Sequence, residues 1–264
     1  QQNLLLGQCT LEVVLGCYLA LVHGRRRPAL GALGVVLASM KPQFVAPLAL
    51  TMLVRGDLGA LAAGVVATGV LSLGTLLAVA GADGPAAWLV AIGRSHATVA
   101  DAALAWPRID AGFLASDVLA LGSRAELVAG AAVLALGLVA LRRAPATDAR
   151  HGRVAALACL TILLPLYHIA YDALLLTLPI VALTAATPRM AADVALIALL
   201  LAPALNFVAT GAVVAGLAPH GAAWRLVTGA NAAALVAALV LAAWPALGGA
   251  RAEPTRPAAT EVPA

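Results

Sequence analysis

The chain has 264 residues, of which 63% are hydrophobic and 11% charged, and its mean hydropathy is +1.00. A soluble domain carries about 25% charged residues, so this composition excludes a water-soluble globular enzyme and predicts an all-α polytopic transmembrane helical bundle. The net charge of +4 comes from arginines grouped between apolar runs, which is topology information and not a nucleic-acid footprint.

A first span is predicted over residues 4–22, entered straight from Gln1-Gln2-Asn3 and closed by His23-Gly24-Arg25-Arg26-Arg27-Pro28. There is no Met at position 1 and no signal-peptide pattern, so the chain is expected to be the C-terminal part of a longer protein. An apolar run over 29–54 follows, interrupted by Lys41-Pro42-Gln43 and ended by Arg55-Gly56-Asp57, a tight turn. Residues 58–80 are long enough to span. The stretch 81–124 is the longest polar one, with 85–99 predicted as an amphipathic surface helix. Residues 126–141 return to an arginine-rich loop over 142–153. The run 154–186 is broken by Tyr167-His168-Ile169-Ala170-Tyr171-Asp172. Spans over 191–217 and 226–247 complete a transmembrane domain over 1–250. The Pro-, Ala- and Thr-rich tail 251–264 is expected to be disordered and cytoplasmic.

Arginine counting orients these segments. If 29–54 crosses once, Arg25, Arg26, Arg27, Arg94, Arg108 and Arg124 face Arg55, Arg142, Arg143, Arg150 and Arg153, six against five. If the run turns back at Lys41-Pro42, the split becomes eight against three, and the positive-inside rule favours this re-entrant hairpin. The run 154–186 is too long for one span and short for two, so a second hairpin is expected there. Trp88, Trp106, Trp224 and Trp244 then fall in loops or at span ends, as an aromatic belt requires.

Polar groups from three segments converge on the non-cytoplasmic face: Gln8; Lys41 and Gln43; and His168, Tyr171 and Asp172. A charge near the bilayer centre costs roughly 2.5–3.5 kcal/mol and usually faces protein or a wet cavity. Proline leaves an unpaired carbonyl that is tolerated only where the backbone is shielded. The Lys41 cluster therefore reads as the lining of a site in preference to a snorkelling lysine. Asp172 is either a helix N-cap or a site group, and His168, one turn earlier, pairs with it. Glu12 lies one turn deeper than Gln8 on the same face. Asn206 and Asn231 read as interhelical hydrogen-bonders, and Asp193 as a helix-start residue. Asp83, Asp101, Asp110 and Asp117 read as a solvated loop face and not as contacts to an acceptor or a divalent ion. Cys9, Cys17 and Cys159 read as buried small hydrophobes. No metal-ligand spacing or phosphate-binding glycine loop occurs, so no metal and no resident cofactor are expected.

Gly7-Gln8 opening a span, Arg25-Arg26-Arg27-Pro28 before Gly31-Ala32-Leu33-Gly34, the Lys41-Pro42-Gln43 break, and Tyr171-Asp172 followed by Leu174-Leu175-Leu176 and Pro179 resemble glycosyltransferase family 87 over most of residues 1–190. That family belongs to the GT-C superfamily of integral membrane glycosyltransferases. The resemblance implies an inner-membrane enzyme that transfers a hexose, mannose on the family's precedent, from a polyprenyl-phosphate donor. The acceptor is a glycolipid or glycan hydroxyl on the non-cytoplasmic face. Such enzymes take their general base from an acidic residue in the first outer loop, which is expected to precede Gln1, so this chain would hold the donor-binding half. The duty of Lys41 would be to stabilise the lipid-phosphate leaving group. Gln8 and Gln43 would bond sugar hydroxyls or phosphate oxygens. His168, Tyr171 and Asp172 would hold the sugar or orient Lys41. Membrane lipid is the surrounding partner and nucleic acid is not one. The competing expectations are a secondary transporter, which also uses broken helices, and a non-catalytic membrane subunit.

Overall fold

The computed structural model describes residues 9–80, 84, 86, 87, 90, 108–144, 151–186, 190–206 and 208–248. Of the surface helix expected over 85–99, residues 86, 87 and 90 are helical and exposed; the rest of it, the tail 251–264, Gln8, Trp88 and Trp106 lie outside the described residues or have no described side chain. Helices account for most of the described chain: α1 (Thr10–His23), α2 (Pro28–Ala38), α3 (Pro42–Arg55), α4 (Leu58–Val79), α5 (Ser123–Arg143), α6 (Gly152–Leu163), α7 (Thr177–Ala185), α8 (Ala191–Leu205), α9 (Gly211–Ala215) and α10 (Ala222–Leu247). A π-helical turn, Leu114–Val118, precedes α5, and a 3-10 turn, Ala170–Leu176, leads into α7. The protein is an all-α helical membrane protein. Among the described residues, α4, α5 and α10 are long and apolar enough to cross a membrane by length and composition.

Both expected hairpins are present. α2 has 11 residues and α3 has 14, about 17 and 21 Å of helix, each short of a hydrocarbon core of about 30 Å. Proline stands at the first turn of both, where its missing N–H costs nothing. The two helices return to one end of the molecule, where an Arg25 Nη2 donates to the Arg55 carbonyl at 3.2 Å. In the second hairpin, α6 ends at Leu163 and the chain runs non-helically to Ile169 before the 3-10 turn. The start of α6 meets the end of α7 so closely that a Cβ on Gly152 would lie 2.7 Å from Leu183 Cδ2.

The core centres on α6. Every residue from Val154 to Leu163 is buried, as expected for a helix apolar on all sides. α1 and α2 cross with their backbones in contact: a Cβ on Gly16 would stand 2.7 Å from Ala38 N and Gly34 O. Only a small residue permits that approach. α4 by contrast turns most of its apolar side chains outward.

One predicted boundary is corrected. The span expected over 191–217 is a 15-residue helix that stops at Leu205. Pro203 removes an intrahelical hydrogen bond two residues before the end. Asn206 then turns its amide to α10, donating to Asn231 Oδ1 at 3.1 Å and to the Val227 carbonyl at 3.3 Å.

Candidate functional site

The two helix breaks meet. Lys41 is the last extended residue before α3, and its ammonium reaches across 131 residues of sequence to Asp172 Oδ1 at 2.8 Å. It also donates to Thr10 Oγ1 at 2.8 Å, from the first turn of α1. Asp172 is buried in the 3-10 turn, and its second oxygen faces His168 Nδ1 at 3.0 Å. The same oxygen accepts the Ile169 N–H at 3.4 Å. Asp172 is not itself the N-cap, which is Ile169; it reaches back from the third position to bond the Ile169 N–H, and it also pairs with Lys41. The fully buried His168 ring stands edge-on to Phe44, centroids 4.4 Å apart. Phe44 in turn lies 5.7 Å from the Lys41 ammonium.

The physical setting of Lys41 is unusual. A helix N-terminus carries partial positive charge and disfavours a cation, yet Lys41 is the N-cap residue of α3. Asp172 compensates that cost. An ammonium has three N–H donors, and the described partners, Asp172 and Thr10, engage two. The third, together with the N-terminus of α3, makes a place suited to an anion.

Of the other predicted site residues, Gln43 is half-buried in the first turn of α3, and Tyr171 is exposed on the 3-10 turn. Neither joins the Lys41–Asp172–His168 set. Gln8 lies outside the described residues, two positions before Thr10. Glu12 is exposed. Thr10 and Phe44 were not singled out by sequence: a threonine and a phenylalanine in apolar runs read as packing residues. Their positions, beside Gln8 and Gln43 respectively, were the only signal.

The solvated-face reading of Asp110 is corrected. Asp110 is buried, with 1% of its surface exposed. Its carboxylate accepts from Arg108 Nε at 2.9 Å and Nη2 at 2.8 Å, and from the Phe113 N–H at 2.9 Å. Arg108 also pairs with Glu126 of α5 and lies over the rings of Phe113 and Tyr167, 5.4 and 5.0 Å from their centroids. Burial opposes the guanidinium charge, but hydrogen bonding and attraction from Asp110, then Glu126, outweigh it and push Arg108 up. Asp117 accepts from Ser116 Oγ. Asp83 and Asp101 lie outside the described residues. Among the described residues no cluster of three or more His, Cys, Asp or Glu side chains could hold a metal ion.

Asp193 caps α8 as expected, accepting the Met190 N–H at 3.2 Å, and it also takes Arg153 Nε at 2.7 Å. Arg55-Gly56-Asp57 is a tight turn, with Gly56 at φ 80° and the Arg55 and Asp57 side chains 3.2 Å apart. Cys17 and Cys159 are buried free thiols, while Cys9 is half-buried.

Fold and site together define a helical membrane protein in which two helix breaks join to hold one half-buried, carboxylate-paired lysine. Glycosyltransferase family 87 matches over residues 1–167, well over half of the 264. The chain belongs to glycosyltransferase family 87, and this selects the membrane glycosyltransferase reading over the transporter. Neither the curated proteins nor the solved structures contain a match.

Proposed function

We propose that this glycosyltransferase moves a hexose, mannose on the family resemblance, from a polyprenyl-phosphate donor to a hydroxyl of a glycolipid or glycan acceptor. The site would lie on the non-cytoplasmic face of the inner membrane, opposite the arginine-rich end where Arg25 and Arg55 meet. The observation that carries this reading is the Lys41 ammonium. It is held by Asp172 and Thr10 beside a helix N-terminus, with one N–H not engaged by any described residue and assigned here to an anionic oxygen.

In the proposed step, the bond between the sugar's anomeric carbon and the donor phosphate oxygen breaks, and its electron pair leaves with the phosphate. The acceptor oxygen forms the new bond to that carbon, and its proton passes to a general base. Negative charge thus grows on the lipid phosphate. A fixed ammonium in a site shielded from water stabilises it most where no reorganisation is required. Asp172 holds the ammonium in place, and His168 holds Asp172. Gln43, Tyr171 and Gln8 are assigned to sugar hydroxyls or phosphate oxygens. The base is assigned outside the Lys41–Asp172–His168 set, since the carboxylate there is already committed to Lys41, His168 and the Ile169 N–H. No metal enters the scheme.

The test is Lys41→Ala in the full-length protein in membranes, assayed with a polyprenyl-phosphate hexose and normalised to correctly inserted protein. Transfer should fall by on the order of 10²–10³-fold, as when a transition-state donor is removed. Normal transfer by that variant would remove Lys41 from the mechanism and the reading with it.

A further inference from the structure

We infer that Asp110 is a positioning residue for glycosyl transfer: with Arg108 and Glu126 it clasps the outer segment onto the second helix break, and through that break it sets Lys41. The inference rests on the reading of Lys41 as the phosphate-binding group.

The second break carries a specific problem. Residues 164–169 have left α6 without entering the 3-10 turn. The Leu164 N–H still reaches the Leu160 carbonyl and the Ile169 carbonyl takes the Asp172 N–H, but the other backbone groups of the break lie outside any helix, and in a membrane protein such groups must be satisfied by protein. The outer segment does this. The Ile109 N–H donates to the His168 carbonyl and the Ala111 N–H to the Leu164 carbonyl, both at 3.0 Å. Arg108 and Ile169 face each other as an isolated antiparallel bridge. Asp110 completes the set by accepting the His168 N–H at 3.5 Å. His168 is therefore gripped through its N–H and its carbonyl by residues 58 and 59 positions earlier in the chain.

The remaining contacts explain why the grip is firm. Asp110 carries a two-point Arg108 contact and the Phe113 N–H, so its carboxylate is locked in orientation. Arg108 is itself fixed between two aromatic rings and tied to α5 through Glu126. From His168 the path is short: its imidazole bonds one Asp172 oxygen and Lys41 bonds the other. A shift of the His168 backbone moves that carboxylate, and the ammonium moves with it. Asp110 has no described contact with Lys41, so it acts through the break.

The test uses Asp110→Asn in the full-length protein, which keeps the shape and removes the charge, assayed where the variant remains folded by its melting curve. A misplaced cation should lower kcat by on the order of 10²-fold with little change in donor KM. Adding Arg108→Cys and Ile169→Cys to that variant supplies a tether, because residues facing each other across an antiparallel bridge stand about 4.5–5.5 Å apart at Cα, within disulfide range. Oxidation should then restore most of the lost kcat, and reduction should remove it again. If Asp110→Asn keeps kcat within about twofold while Lys41→Ala is inactive, the clasp is refuted and the Lys41 reading survives. An Asp110→Asn loss that the tether does not restore also refutes positioning and assigns Asp110 a chemical role. Normal transfer by Lys41→Ala overturns both ideas together.

Discussion

The two ends of α3 carry two cations, Arg55 buried and Lys41 half-buried, that are built in opposite ways. Arg55 sits at the C-terminus of the helix, where the dipole favours positive charge. Its carboxylate partner, Asp57, is two residues away, and its Nη2 donates to the Leu21 carbonyl at 2.8 Å. Lys41 sits about 20 Å away along the same axis, at the N-terminus, where the dipole opposes it. Its carboxylate comes from another hairpin 131 residues on. A cation placed where backbone and neighbours already favour it closes a turn. A cation held against the dipole by a distant carboxylate is a candidate for the working group proposed above. The arginine end closes the first hairpin, and the lysine end is the candidate site.

The strongest way to break this contrast is to remove the Lys41 pair entirely. Lys41→Met alone leaves Asp172 buried without its cation and should destabilise the protein by up to about 3–5 kcal/mol, whereas Lys41→Met with Asp172→Leu removes both charges and should restore most of that stability. Transfer should nevertheless stay lost in the double variant, down by on the order of 10²–10³-fold. Thermal unfolding in detergent and transfer assays on the same preparations separate the two effects. Recovery of transfer along with stability would mean that the pair serves the fold alone.

Arg55→Ala should behave in the reverse sense, costing about 3–5 kcal/mol of stability while leaving transfer per folded molecule unchanged. Its pH dependence adds a second readout. Burial raises the Asp57 carboxyl above its ordinary value, against the pull of Arg55 and then Arg25. Without Arg55 the folded state holds a proton that the unfolded chain releases. Stability of the variant should therefore be greatest at low pH and decline as pH rises through the raised value. A deficit that grows toward acid pH would show that Asp57 stays ionised and that Arg25 suffices as its partner.

Much of this contrast was legible in the sequence because both charge groups interrupt apolar runs. The arginine count gave the first hairpin, and the position of Lys41-Pro42 gave its turn. The spacing of His168 and Asp172, one turn apart, gave their mutual contact. Thr10 was not legible, since its role depends on how α1 crosses the first hairpin. Asp110 was misread for a related reason: in a long polar segment, spacing says nothing about what the segment docks on. Only the unpaired backbone of the second break explains why a loop carboxylate is buried. The run 191–217 was misread because hydropathy continues past Pro203 and Asn206 while the helix does not.

Asn206 and Asn231 supply the uncharged control for the comparison. They join α8 to α10 through one amide–amide bond at 3.1 Å, far in sequence from either cation. Asn206→Leu should cost about 0.6 kcal/mol, at most about 1.7, the range measured for interhelical hydrogen bonds in a membrane protein. The unpaired Asn231 oxygen accounts for the upper part of that range, because Asn231 is buried with 5% of its surface exposed. Transfer per folded molecule should not change, and the melting temperature should fall less than in Arg55→Ala. A loss of transfer as large as in Lys41→Met would mean that α8 and α10 bear on the site through a route other than the two breaks. The division between a structural and a working end of α3 would then be too simple.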